Sequence, residues 1–269
     1  MTPQQAEQYR KEFKRFQQRR ELLWTPRIKK ALREQVTQFI STYGIRPAET
    51  SILMVNAAPI YNEVRKLYLD AGIIWGANIY AKLTKEIRAE KARMPIGLSE
   101  FLRNAILKYF EADLLNDVQD ITETTREKIL SALQTATEQG LGFDDTIKLI
   151  QDSVITDARA RLIARTETVT AANMGASLAA DRTGILLVKT WIAATDNRTR
   201  NDHREVNGIT IDKSEPFNVG GYPMQQPGDR GQQGNRTPAK EICNCRCTVG
   251  FEAKRDANGR IIRVAVAAQ

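Results

Sequence analysis

The spacing of apolar residues changes once along this chain, and the change divides it. As far as about residue 181 they recur every three or four positions; from Leu186 to Ala194 they alternate. The first period marks one face of an α-helix and the second a half-buried strand. The first 150 residues contain no convincing alternating segment, so the chain is read as α+β. A mostly helical, elongated N-terminal half, residues 1–140, precedes a small mixed α+β domain, residues 141–269, with a few antiparallel strands. At 269 residues and 42% hydrophobic content, two modest cores are affordable.

Within the helical half, Tyr9, Phe13, Phe16, Arg20 and Leu23 form one stripe over residues 4–23. Pro26 is predicted to open a second helix that ends before Gly44, since proline suits a first helical turn. A long helix follows from Ile60 to about Arg93, its run carrying Val64, Leu67, Tyr68, Ile74, Ala77, Ala81 and Ile87, with a stop at Pro95. Gly72 and Gly76 weaken its middle by ~1 kcal/mol each and would admit another backbone at close range. Ser99 begins the next helix, whose stripes run through Leu114 and Leu115 to Leu133 and end at Gly140; Asp144 or Asp145 is expected to cap a short helix after it. The helix through Thr156–Asn173 places Ile155, Leu162, Thr166, Val169 and Asn173 on one face. Buried Thr and Asn must find hydrogen-bond partners, expected in the loops of the domain that follows.

Beyond the change of period, Leu187, Lys189 and Trp191 share one side of a strand, and Ile209–Ile211 makes a short second one. The Gly/Pro/Gln-rich stretch from Pro216 to Pro238 reads as a loop with little capacity for core formation. Cys245–Glu252 is expected to pair with Arg260–Val266 across a tight Asn258–Gly259 turn.

Charge narrows the partners. The net charge is +8, and residues 1–33 hold ten Lys/Arg against three Glu, while residues 111–127 (Glu111, Asp113, Asp117, Asp120, Glu123, Glu127) lean acidic. Arg10, Lys11, Lys14, Arg15, Arg19 and Arg20 are therefore candidates for binding nucleic acid or an acidic surface, the competing reading being a solvated helix face. No apolar run approaches the ~20 residues a membrane span needs, nor does the N-terminus carry a signal-peptide core. An odd, clustered set of three cysteines fits a reducing cytoplasm rather than a disulfide framework.

The chain's single histidine and all its cysteines lie between Trp191 and Cys247. Ile163-Ala-Arg-Thr-Glu-Thr168 comes first, then Trp191 running into Asp196-x-Arg-Thr-Arg-x-x-His203 and Gly208, then a proline-containing loop and Asn244-Cys-Arg-Cys247. In that order these residues resemble the phage Mu F-like family of minor head proteins, over about residues 140–252. The resemblance implies a structural virion protein, not an enzyme, that acts in head assembly at the portal vertex. Its implied partners are the portal protein, the inner capsid surface and packaged double-stranded DNA, with several copies around the portal, no membrane, and roles in genome packaging or ejection. The competing class is a DNA-binding accessory protein working through its basic N-terminal helix. Some members carry Cys-x-x-Cys where this chain has Arg200-x-x-His203; many append a toxin-like domain, for which 269 residues leave no room. The motif residues expected to matter are Arg165, Glu167, Trp191, Asp196, Arg198, Arg200, Asp202, His203, Gly208, Asn244, Cys245, Arg246 and Cys247.

His203, Cys243, Cys245 and Cys247 match the ligand count of a closed zinc site. Alternate residues of an extended strand lie ~6.6 Å apart, too far for sulfurs sharing one ion, so residues 243–247 would have to turn. The other reading is free thiols beside a hydrogen-bonded motif. Catalysis is disfavoured by the single histidine, the lack of a second carboxylate cluster and the lack of a phosphate loop. Arg198 and Arg200 are expected to pin the loop by pairing with Asp196 or Asp202. Both motif segments are expected to meet the helix bearing Arg165 and Glu167, with Arg165 reaching Asp196 or Asp202. Arg165 and Glu167, ~200° apart around their helix, must then serve different partners.

Overall fold

The computed structural model describes residues 1–87, 97–232 and 235–263. Its helices are α1 (Pro3–Ile40), α2 (Ala48–Ile52), α3 (Ala58–Ile87), α4 (Leu98–Gln139), α5 (Phe143–Val154), α6 (Asp157–Asp181), α7 (Asn201–Glu205) and α8 (Ala239–Ile242). The strands are β1 (Leu187–Ile192), β2 (Thr210–Asp212), β3 (Phe217–Val219), β4 (Tyr222–Met224), β5 (Gly231–Gln232), β6 (Asn235–Arg236) and β7 (Thr248–Ala253). This is the expected α+β class: a mostly helical chain with a small antiparallel sheet in its C-terminal part. It gathers into two compact units. One comprises Met1–Arg20, Leu67–Leu107 and Arg165–Gln269, the other Glu21–Lys66 and Lys108–Ala164. The boundaries fall inside α1, α3, α4 and α6, so neither unit is a continuous stretch such as 1–140 or 141–269.

In the first unit β1 lies between β2 and β7, antiparallel to both. Its register sets Lys189 opposite Phe251 and Trp191 opposite Val249. Beside the sheet, α6 is buried almost all round from Ile163 to Ala176, which leaves no polar face. Asn173 solves part of the problem: its amide donates to the Pro227 and Cys247 carbonyls at 3.1 and 3.2 Å, and its oxygen accepts from the Thr248 hydroxyl and the Val249 N–H. The partners expected for a polar residue on this helix lie in the domain that follows: Pro227 and Cys247 supply them from loops, while Thr248 and Val249 belong to β7. The close approach expected at Gly72 and Gly76 is also present: a Cβ on Gly175 of α6 would sit 2.1 Å from the Gly72 carbonyl oxygen, and one on Gly76 would sit 2.6 Å from that of Gly175. Tyr9, Phe13 and Phe16 of α1 pack on Trp75 of α3 with centroids 5.0–6.0 Å apart. Met1 lies against Gly250 of β7. The first turns of α1 are thus built into this unit.

The second unit has its own core of Val36, Phe39, Ile52, Val55, Ile129, Ala132, Ile150 and Val154. Gln35, fully buried there, donates to the Asn56 carbonyl and the Thr122 hydroxyl and accepts from the Thr125 hydroxyl, each at 2.9 Å.

Several expectations are corrected. Pro26 does not open a helix but lies inside α1. A mid-helix proline forfeits one backbone hydrogen bond; Thr25 Oγ1 donates to the Glu21 carbonyl nearby, and buried Trp24, Ile28 and Leu32 hold the helix on. Leu23, Ile74 and Leu162 point outward. α5 starts at Phe143 with Gly142 as its cap, and Asp144 and Asp145 sit in the first turn. The Pro216–Pro238 stretch does contribute core: β3 and β4 bury Phe217, Val219 and Met224. β7 pairs with β1, because Trp191 and Val249 complete one apolar layer that way. The 254–263 segment makes a turn from Asp256 to Gly259 in which Gly259 (φ 76°) takes the left-handed conformation while Asn258 does not. Arg93, Pro95 and residues 264–266 lie outside the described residues, as do the side chains of Ile87, Glu111, Asp113, Leu114, Leu115 and Asp117.

Candidate functional site

β1 ends at Ile192 and delivers the chain into a turn, with Thr195 in the left-handed region (φ 58°). Asp196 then organises the loop: its Oδ1 accepts from the Arg198 N–H and the Thr199 hydroxyl at 3.0 and 3.2 Å. Local side-chain turns of this kind stop the strand and start α7. That single turn of helix buries His203 at 1% exposure. Gly208 (φ 80°) returns the chain by donating its N–H to the Trp191 carbonyl.

The cysteine segment arrives from α8. Cys243 N–H bonds to the Ala239 carbonyl and Cys245 N–H to the Ile242 carbonyl, with Asn244 left-handed between them (φ 62°). This is the turn that the sequence required if several sulfurs were to converge. The Thr166 hydroxyl accepts the Asn244 N–H at 2.9 Å, and Arg165 Nη1 donates to Asn244 Oδ1 at 2.5 Å. Helix α6 therefore anchors the motif through the residue in the strained conformation.

The two segments meet, as expected. His203 Nδ1 lies 3.5 Å from Cys247 Sγ and 3.7 Å from Cys245 Sγ. Its other nitrogen, Nε2, is 3.2 Å from Glu241 Oε2, and Glu241 is itself buried. Trp191 packs edge-on against the imidazole at 5.4 Å and against Phe217 at 5.3 Å. The Cys243 sulfur is not in the set: only the ligand atoms of His203, Cys245 and Cys247 lie within 4.8 Å of one another, among the described residues. That removes Cys243 from the expected four-ligand group, because Asn244 turns the chain between it and Cys245.

The expected ion pairs are redistributed. Asp196 is held by both guanidinium arms of Arg246, one at 2.9 Å. Arg165 is spent on Asn244 and Arg200 on the Cys243 carbonyl at 2.5 Å, while Arg198 is exposed and gives Asp196 only its backbone N–H. Arg246 wins because it sits between the two inward cysteines and must point the other way, toward the Asp196 turn. Asp202 lies over Gly220, where a Cβ would sit 2.6 Å from its Oδ2. Glu167 does serve partners different from those of Arg165: Arg230 at 2.8 Å to both oxygens and the Tyr68 hydroxyl at 3.0 Å.

Electrostatically the centre is a coupled thiol–imidazole group. The Cys247 thiol, donating to Cys245, and the adjacent His203 outweigh burial and hold the Cys245 pKa well below its ordinary value. The Cys245 sulfur, reinforced by burial, pushes Cys247 well up. Burial alone would depress His203, but the Cys245 sulfur and the Glu241 charge leave it raised. Asp196 is held below the usual carboxylate range: burial works against this, and Arg246 and the Arg198 N–H overcome it.

Sequence reasoning missed Glu241, Arg230 and Lys189. Lys189 is 2% exposed and donates to the Gln225 carbonyl and side chain at 2.8 and 2.7 Å. Its place on the Leu187/Trp191 side of β1 was the available signal. Of the basic candidates on α1, Arg20 chelates Asp70 at 2.9 and 3.0 Å and Arg10 pairs with Glu7, whereas Lys11, Lys14, Arg15 and Arg19 are exposed.

A polar knot of this composition, closed over a helix and a three-stranded sheet, defines a motif-stabilised domain, and its sequence places it. Residues 127–250 match the family described as Phage Mu protein F like protein, so the resemblance read from the motif is borne out over that region. It is 31% identical over 137 residues to the minor head protein GP7 of Bacillus phage SPP1, a match covering 48% of this chain and 42% of that protein. It is also 37% identical over 65 residues to the NAD(+)--arginine ADP-ribosyltransferase EFV of Enterococcus faecalis, covering 24% of this chain and 12% of that one. The chain thus spans less than half the length of these curated relatives. No solved structure matches it. Among the described residues, no helix is long and apolar enough to cross a membrane.

Proposed function

We propose that the protein is a structural minor head protein of a tailed phage, resident in the virion, that docks on the portal vertex during head assembly. The observation that carries this reading is the Mu F-like region at residues 127–250, which contains every segment of the motif. The site's chemistry agrees. Several of its charged groups are spent internally: Asp196 on Arg246, Arg200 on the Cys243 carbonyl, Glu167 on Arg230 and Tyr68. A catalytic acid, base or nucleophile must reach a substrate, whereas groups saturated internally hold a shape. The reading is therefore non-enzymatic, with helix faces making the contacts to the portal and inner capsid. The test is to purify heads of the encoding phage with and without this gene and to co-purify the protein with the portal ring. Presence in heads and retention on the portal in high salt are expected; absence from purified heads defeats the reading.

A second reading, a DNA-contacting accessory protein acting in packaging or ejection, is favoured by one observation. Lys11, Arg15 and Arg19 follow one another at four-residue spacing on the exposed side of α1, with Lys14 beside them. Binding through this ridge would weaken with salt, at a log–log slope of about −0.9 per phosphate neutralised. Replacing these four residues with Gln should leave the fold unchanged and lower duplex affinity; equal affinity at low salt would mark the ridge as a solvated face.

A further inference from the structure

We propose that His203 Nδ1, Cys245 Sγ and Cys247 Sγ form a zinc site with three protein ligands, its imidazole oriented by Glu241. Tetrahedral zinc with Zn–N of ~2.05 Å and Zn–S of ~2.3 Å sets N···S at about 3.5 Å and S···S at about 3.8 Å. The observed N···S separations are 3.5 and 3.7 Å, and all three ligand atoms fall within 4.8 Å of one another. Two sulfurs and an imidazole nitrogen are soft to borderline donors, the set that selects zinc over calcium or magnesium.

The carboxylate behind the histidine is the second observation. Metal-bound histidines donate their other ring N–H to a carboxylate or carbonyl, which fixes the tautomer and the ring plane. Glu241 Oε2, 3.2 Å from Nε2 on a residue that is 1% exposed, does this. With the proton on Nε2, the lone pair of Nδ1 faces the two sulfurs. Both thiols release their protons on binding, so one Zn²⁺ and two thiolates sum to zero charge, which suits a pocket where each ligand is 2% exposed or less. Arg246, between the cysteines, points away to Asp196 and brings no charge against the ion. Asn244's left-handed turn leaves Cys243 outside the set, so the chain itself supplies three ligands.

The test uses the full chain, produced with zinc supplied and then desalted. Elemental mass spectrometry should find about one equivalent of zinc, unchanged in Cys243→Ala and lost in Cys247→Ala. Less than about a tenth of an equivalent in the unsubstituted protein overturns the site, and so does equal loss in Cys243→Ala and Cys247→Ala. Should Cys247→Ala fail to fold, cobalt substitution decides, because the thiolate-to-cobalt charge-transfer intensity counts sulfurs: two are expected, and three or none overturns the ligand set. Glu241→Gln should weaken zinc about 10- to 100-fold in competition with a chromophoric chelator; unaltered affinity removes Glu241 from its positioning role.

Discussion

Arg246 reaches Asp196 from the cysteine segment while Arg198 follows it two residues on in the loop, and only one of them matters for stability. Arg246 grips the carboxylate with two arms and is itself 12% exposed, whereas Arg198 faces solvent. A charged hydrogen bond is worth about 1.5–3 kcal/mol, and Asp196 is 40% exposed, so screening reduces this. Arg246→Ala should therefore cost about 1–2 kcal/mol in urea unfolding, and Arg198→Ala less than about 0.5 kcal/mol. Lys189 makes a pH-dependent prediction. Burial brings its pKa down to about 8, with Lys213 adding to the effect and Asp229, Asp181 and Glu215 opposing it. Below pH 8 both folded and unfolded chains carry its proton, and the cost of burying the charge is complete. Between about 8 and the unfolded value near 10.4 the unfolded chain binds more protons, so stability from this group rises with pH. Melting curves of the unsubstituted protein and Lys189→Met, compared from pH 7 to 10, should converge or cross in favour of the lysine by up to a few kcal/mol. A difference independent of pH would show that Lys189 titrates normally.

At the level of elements, the crossing of α3 and α6 is the most constrained contact. A Cβ on Gly175 meets backbone, which cannot swing aside as a side chain can. Gly175→Val should destabilise by about 3 kcal/mol or more, beyond ordinary overpacking, while Gly142→Ala, which meets nothing within 4 Å, should change stability by less than about 1 kcal/mol. Differential scanning calorimetry distinguishes them. Part of this crossing was legible: Gly72 and Gly76, four apart in a helical run, announce a close approach, although the partner glycine on α6 does not announce itself. The meeting of the His203 and Cys245–Cys247 segments was legible too, because a strand leads into one and a turn was needed at the other. Glu241 was not, since a carboxylate four residues before Cys245 has no periodic signature. Nor was the continuity of α1 through Pro26: a local rule for proline was overridden by the burial of Trp24, Ile28 and Leu32 on one side of the helix. The pairing of β7 with β1 instead of its sequence neighbour follows from layers that exist only in three dimensions.

For the molecule as a whole, the basic N-terminal segment is part of a core. Tyr9, Phe13 and Phe16 are joined to Trp75, and Met1 to the residues around Gly250. Deleting residues 1–20 should therefore lower the melting temperature and expose Trp75 to quenchers, an outcome that a detachable arm would not give; an unchanged melt would show that α1's first turns are dispensable. The unit that holds the motif draws on Met1–Arg20, Leu67–Leu107 and Arg165–Gln269, and this sets an order of events on the ribosome. The aromatic face of α1 emerges first and waits, unsatisfied, while the rest of the chain is made. Contacts between distant parts of a sequence form slowly, and here the last of them depends on β7, the strand that follows Cys247. Its arrival seats the sheet and brings the thiols against His203 in the same movement. A chain that stops before β7 would have neither.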